Sequence, residues 1–200
     1  YRIKNYAFTV IYLLLVVKLI RLNYRIGMFR NTIIAFISTL FFCTSTIGQD
    51  NRIVDEFEIE ASVDDVWNAF TTSNGLKSWV APLADIDLRV GGKWRANYSK
   101  DGKLGDATTI ENTILSYDPK RMLSLKATRF PAGFEFVEAA KATWSIFYFT
   151  KVSETKTKIT IVGLGYTDSE QSKKMRSFFK PANKYSMDQL KAAVENKKDD

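Results

Sequence analysis

The chain has 200 residues, 46% of them hydrophobic, and a formal charge of +7, which suits one compact domain with additional segments. It contains no histidine and a single cysteine, Cys43, so histidine bases, histidine metal ligands and intramolecular disulfides are excluded. The charge is local: residues 1–48 carry six basic side chains and no acidic ones, leaving 23 basic against 22 acidic over 49–200. The nucleic-acid reading that a basic protein invites therefore falls away.

Residues 6–22 are largely apolar, though Lys18 interrupts them, and come near the short limit of a membrane span. Met28 follows, and residues 1–27 are expected to be upstream sequence that is not translated in the cell. From Met28 onward, Arg30 precedes an apolar run over 32–43, and Thr46 and Gly48 stand at −3 and −1 before Gln49. That order is the pattern of a secretory signal peptide over 28–48. Bulky Phe42 argues against lipid attachment at Cys43. The expectation is a bacterial protein, periplasmic or secreted, cleaved before Gln49 to leave a domain over 49–200. The alternative is a membrane anchor built from the N-terminal apolar segments, the only part of the chain expected to meet a membrane.

Within the domain, residues 53–59 alternate apolar and acidic as a strand does. Ser62, with Asp65 three residues on, forms a capping-box pattern that opens a helix over 63–70. Val63, Val66, Trp67 and Phe70 give that helix a buried stripe at helical spacing. Ser73, Asn74 and Gly75 interrupt it before a short turn that carries Leu76 and Trp79, and Pro82 closes the section. Ile86, Leu88 and Val90 then alternate with Asp85, Asp87 and Arg89, predicting a strand that reaches the Gly91-Gly92 pair. That pair suits a two-residue hairpin. Trp94, Ala96 and Tyr98 mark the next strand's inward face, and Asp101-Gly102 and Asp118-Pro119 are further turn signals. Ile110 and Ile114 belong to another strand, followed by strands over 122–129, 143–152 and 156–164. Hairpin-length connections imply antiparallel neighbours. The tail over 169–196 has helical spacing of Met175, Phe178, Phe179, Met187, Leu190 and Val194, with Pro181 expected to kink or split it.

This order predicts an α+β fold of the helix-grip (START, Bet v-like) kind. Six to seven antiparallel strands curve around a long C-terminal helix, with two short helices after the first strand. The segments VDDVWNAFT and GLKSW, Pro82 and LRVGGKW resemble the START-like (SRPBCC) superfamily. More narrowly, they are similar to the C-terminal region of the activator of the ninety-kilodalton heat-shock chaperone ATPase. The resemblance spans about 53–194. It implies an internal cavity and, for most members, a cytoplasmic address, from which the export signal here departs. Lys180-Pro181-Ala182 also departs from the family pattern in the last helix.

A curled sheet gripping one helix seldom fills its interior, and large apolar pockets with a few polar groups are typical small-molecule sites. The candidate ligand-binding set is Trp79, Trp94, Tyr98, Phe134, Trp144, Phe147 and Phe178, with Phe136 a further ring of the same group. Tyr98 shares the Trp94 face and offers an inward hydroxyl, whereas Arg95 and Asn97 are expected to face outward. Glu111 and Tyr148 are further polar candidates. Trp67 is expected in the core. Asp85, Asp87, Glu135 and Glu138 are expected as surface charges, and the aromatic loop over 129–134 is a candidate lid. No catalytic residue, metal ligand set or cofactor emerges. The expected partner is a small apolar or amphipathic molecule and not a nucleic acid. The resemblance also admits a cyclase or dehydratase enzyme using the same cavity, or a module that binds a protein partner in the manner of a co-chaperone.

Overall fold

Alternating side chains and short polar turns make the strands of this chain pair in series. The computed structural model describes residues 51–195, and the expectations for the N-terminal segments and the Gln49 cleavage point lie outside them. Strands β1 (Ile53–Ile59), β2 (Leu83–Ile86), β3 (Lys93–Asn97), β4 (Ile110–Asp118), β5 (Met122–Arg129), β6 (Trp144–Ser153) and β7 (Lys156–Leu164) form one antiparallel sheet. Its order is β1-β7-β6-β5-β4-β3-β2. Register shifts at Glu111/Asn112, Ile114/Ser116 and Lys151/Ser153 supply the bulges that bend such sheets. Helices α1 (Val63–Thr71) and α2 (Ser73–Trp79) follow β1, α3 (Val137–Ala142) precedes β6, and α4 (Glu170–Glu195) runs for 26 residues. This is the helix-grip arrangement, a curved sheet with a long C-terminal helix.

The capping prediction is met in detail. The Ser62 hydroxyl accepts from the Asp65 N–H at 3.1 Å and donates back to its carboxylate at 2.5 Å. Behind that cap, Val66, Trp67 and Phe70 are buried, and Trp67 meets Phe149 edge-on with centroids 5.4 Å apart. Ile59, Ile114, Leu123, Ile159, Met187 and Leu190 complete a core that lies between the sheet and α4.

The structure departs from the expectations at several points. Strand β2 ends at Ile86, and Val90 is exposed. The Gly91-Gly92 pair does not make a two-residue hairpin, because both glycines reach across to Ile114. Gly91 donates to its carbonyl at 2.8 Å, and Gly92 accepts from its N–H at 2.9 Å. A Cβ on Gly92 would lie 2.0 Å from the Asp87 carbonyl oxygen, so this close approach admits glycine alone. Asp101-Gly102 sits within a long loop over 98–109. Asn97, fully buried, faces that loop and not open solvent: its amide donates to the Lys103 carbonyl at 3.1 Å and to the Asp106 carboxylate at 2.9 Å. Helix α3 is an element that the alternation pattern missed. Of the two outcomes expected at Pro181, a kink or a split, the split does not occur, and α4 continues through it. Proline there removes one N–H donor, and the long run of turns on either side holds the helix together.

Candidate functional site

The site begins where α1 meets α2. Thr72 ends the first helix and caps the second, its hydroxyl accepting from the Gly75 N–H at 3.0 Å. A Cβ on Gly75 would stand 2.2 Å from the Asn68 carbonyl oxygen and 2.7 Å from the Ala69 Cα. Only glycine lets the helices approach this closely, and that approach brings Trp79 against Phe70, centroids 4.8 Å apart. The Trp79 indole N–H is then satisfied by the Ala69 carbonyl at 3.0 Å.

From there the inner face of the sheet continues the wall. Trp94 on β3 lies opposite Asn112 on β4, and Leu125 on β5 lies opposite Ser145 on β6. Together with Ala127, Phe147 and Ile161 they line a cavity of about 270 Å³. Helix α4 forms the opposite side with Phe179, Asn183, Ser186 and Met187, and Tyr98 and Tyr185 also border it. Every lining side chain is aromatic, aliphatic or uncharged polar.

Trp94 is 9% exposed, and its Nε1 is buried with no hydrogen-bond partner. Asn183 is anchored from behind, its amide donating to the Asp55 carboxylate at 2.9 Å. Tyr98 is 61% exposed. Desolvation, and after it the neighbouring Tyr185, raise its phenol above the ordinary tyrosine value; with so much of the residue in water only the direction matters. The hydroxyl is protonated at neutral pH and able to donate.

Five of the candidate residues, Trp79, Trp94, Tyr98, Trp144 and Phe147, meet at this cavity, and two do not. Phe178 is 50% exposed. Neighbouring positions on a helix point about 100° apart, so Phe178 and Phe179 cannot both face the sheet, and Phe179 does. Phe134 follows Gly133, whose φ of 82° turns the loop back on itself. There it stacks on Phe130 with centroids 5.5 Å apart and meets Phe136 edge-on at 5.6 Å. Phe130 and Phe134 border a separate open trough of about 570 Å³, with Lys126, Arg129 and Lys141 along it. The loop named as a candidate lid stands over this trough.

On the outer face, Arg95 meets Asp85 at 2.8 Å and Lys93 meets Glu111 at 2.9 Å; Asp87 pairs with Arg89 and Glu138 with Lys141. Among the described residues no cluster of histidine, cysteine or carboxylate groups could hold a metal ion.

The polar members Asn112, Ser145, Asn183 and Ser186 were missed by the sequence reading. Their signal was present. Asn112 occupies the inward position between Ile110 and Ile114, and Asn183 and Ser186 interrupt the stripe Phe179, Met187, Leu190, Val194. A polar residue on an otherwise apolar face is an indicator of a hydrated or liganded interior.

Known proteins show the same architecture. The chain is similar to MLL2253 from Mesorhizobium loti, with 16% identity, 74% of this chain and 98% of that one covered, and a TM-score of 0.58. It is similar to norcoclaurine synthase from Thalictrum flavum, solved with dopamine and hydroxybenzaldehyde, with 12% identity, 74% and 88% covered, and a TM-score of 0.53. The Aha1 dimer from Colwellia psychrerythraea shares 16% identity over 72% of this chain and 96% of that one, with a TM-score of 0.50. At these identities the likeness shows the fold alone. No curated protein matches in sequence. The family model described as "Activator of Hsp90 ATPase homolog 1-like protein" matches residues 60–195, and on that match the chain belongs to this family.

Proposed function

We propose that this domain binds a small hydrophobic or amphipathic molecule in the cavity between the sheet and α4. The observation that carries the reading is an apolar, aromatic-walled space of about 270 Å³ with a few uncharged polar groups along it. Affinity would come from removing apolar surface from water, at roughly 25 cal/mol per Å², and orientation from the Asn, Ser and Tyr groups. A ligand-bound relative, norcoclaurine synthase in complex with dopamine and hydroxybenzaldehyde, supports the idea that this architecture can hold a small aromatic molecule. A cyclase-type reaction in the same place would work through the Tyr98 or Tyr185 hydroxyls, the ionisable groups among the described lining residues. Service as a protein-interaction module is supported by family membership alone.

The test is native mass spectrometry of the protein purified from its own host, followed by titration with N-phenyl-1-naphthylamine, an uncharged dye that brightens in apolar surroundings. A co-purifying small molecule, or saturable one-to-one dye binding, is expected. A bare protein that takes up no dye overturns the reading. The signal-peptide pattern over 28–48 supports action outside the cytoplasm. N-terminal sequencing of the natural protein tests that part: a first residue of Gln49 is expected, and retention of residues 6–22 overturns it.

A further inference from the structure

The three tryptophans that border the cavity are not equivalent. The Trp79 indole N–H is bonded to the Ala69 carbonyl at 3.0 Å and is fully employed within the fold. Trp94 lines the cavity, and its indole N–H is buried with no acceptor among the described residues. A buried donor without a partner is costly, and native folds seldom leave one. Trp94 is also held firmly. It is the second residue of β3, paired with Ile86 on one side and Asn112 on the other.

The second observation is electrostatic. Seven lining residues carry polar side-chain groups, three on the sheet side (Tyr98, Asn112, Ser145) and four on α4 (Asn183, Tyr185, Ser186, Gln189), and none of them is Asp, Glu, Lys or Arg. The outer face of the same strands is ion-paired, as Arg95 with Asp85 and Lys93 with Glu111 show. A charged guest would enter a low-dielectric space with no counter-charge in its walls, which is strongly unfavourable.

We propose that the cavity takes an uncharged, mostly apolar molecule that brings a hydrogen-bond acceptor, such as a ketone, ester or ether oxygen, to the Trp94 indole N–H. This inference rests on the cavity-binding reading and adds the chemical class of the guest. Its polar end lies at the Trp94–Asn112 pair, and its apolar body lies along Phe70, Phe147 and Ile161. The guest is compact, since about 270 Å³ falls just below the roughly 300–1,000 Å³ of pockets for drug-sized ligands.

The experiment uses the full chain with N-phenyl-1-naphthylamine bound, displaced by three naphthalenes of nearly equal size. They are 2-acetylnaphthalene (neutral, with an acceptor), 2-isopropenylnaphthalene (neutral, without one) and 2-naphthoate (anionic), all at neutral pH. The ketone is expected to displace the dye at a concentration at least about tenfold below that of the carboxylate, the scale of an uncompensated buried charge. Trp94→Phe is expected to lower the ratio of ketone affinity to hydrocarbon affinity by about three- to tenfold, the loss of one hydrogen bond. Exchanging the Trp94 indole for its benzothiophene analogue, in which sulfur replaces N–H at unchanged shape, repeats the measurement should the phenylalanine variant fold poorly.

Carboxylate binding equal to or tighter than ketone binding overturns the proposal, as does a ketone-to-hydrocarbon ratio that neither replacement moves. Those outcomes leave the cavity-binding reading intact. Failure of the dye itself to bind removes that reading, and this inference with it.

Discussion

The space between the sheet and α4 has two ends that are filled differently. At one end Ile59 and Ile159 from the sheet, Val66 from α1, and Leu190 and Val194 from the last turns of α4 are almost wholly buried against one another. At the other end, under the middle of α4, the side chains of β3, β4 and β5 stop short of the helix and leave the cavity. Phe70 marks the boundary, with Phe149 at 5.0 Å, Phe147 at 5.3 Å and Trp79 at 4.8 Å. Packing therefore stabilises the first end. The second is held by strand pairing and polar contacts, which leaves its interior free for a guest. A fold can carry a void only where something other than dense packing supports the walls.

Strand β5 offers the sharpest way to break this contrast. Leu123 and Leu125 are both buried, two residues apart on its inner face; only Leu125 borders the cavity. Truncating a buried leucine removes its transfer energy and creates a new void, and the second term is smaller where a void already exists. Leu123→Ala is expected to cost about 4 kcal/mol and Leu125→Ala about 2 kcal/mol, within the range for such changes, measured by urea unfolding. Values within about 0.5 kcal/mol of each other would mean that the two ends are packed alike.

The next largest effect concerns the polar support of the hollow end. Loop 98–109 carries Tyr98 to the cavity and is tied together by Asp106. Its carboxylate accepts from the Lys103 N–H at 2.8 Å, from the Thr108 N–H at 2.9 Å and hydroxyl at 2.8 Å, and from the Asn97 amide at 2.9 Å. The backbone bond from Lys103, then that of the Thr108 hydroxyl, hold the Asp106 carboxyl well below the usual carboxylate range. A depressed carboxyl stabilises the fold fully above its unfolded value, and that contribution is lost as pH falls through the usual carboxylate range toward the folded value. Asn97→Ala is expected to cost about 1–3 kcal/mol, because it empties a fully buried position and removes the amide bonds to the Lys103 carbonyl and the Asp106 carboxylate. Acid is expected to weaken dye binding before it unfolds the packed end, and Asp106→Asn to flatten that pH dependence. Loss of both at one pH in the unaltered chain would show the two ends to be a single cooperative unit.

How much of this was legible beforehand depends on whether a local pattern or a distant partner decides each element. Met122–Arg129 and Lys156–Leu164 were read with the bounds they have, because period-two alternation between turn residues is a local signal. The alternation of Leu88 and Val90 was equally local and misled. There Gly91 and Gly92 bond to Ile114 on another strand, and this long-range pairing outweighs the strand pattern of the residues before it. Helix α3 was invisible for a different reason. It is short, and its N-cap, Phe136, makes no side-chain capping bond. For the site, rings on strands were easy to orient, as Trp94 and Phe147 show. The sequence reading named Phe178, whereas Phe179 borders the cavity, in the helical phase that Met187, Leu190 and Val194 set.

The smallest expected change in stability is the most informative about the void. Ser186 lies on α4 and borders the cavity. Leucine is the better helix former by roughly half a kcal/mol, and its extra methyl groups enter a space of about 270 Å³. In a filled core the same enlargement costs about 1–3 kcal/mol through forced rotamers and backbone shifts. Ser186→Leu is therefore expected to leave the unfolding midpoint unchanged or slightly raised while weakening N-phenyl-1-naphthylamine binding by about tenfold or more, as apolar contacts of the guest are replaced by those of the protein itself. The two readouts move independently only if the space is empty and is the place where the dye sits. A destabilisation of the overpacking size would show that the hollow end closes up in solution. Unchanged dye binding in a stable variant would place the dye elsewhere, as in the open trough beside Phe130 and Phe134.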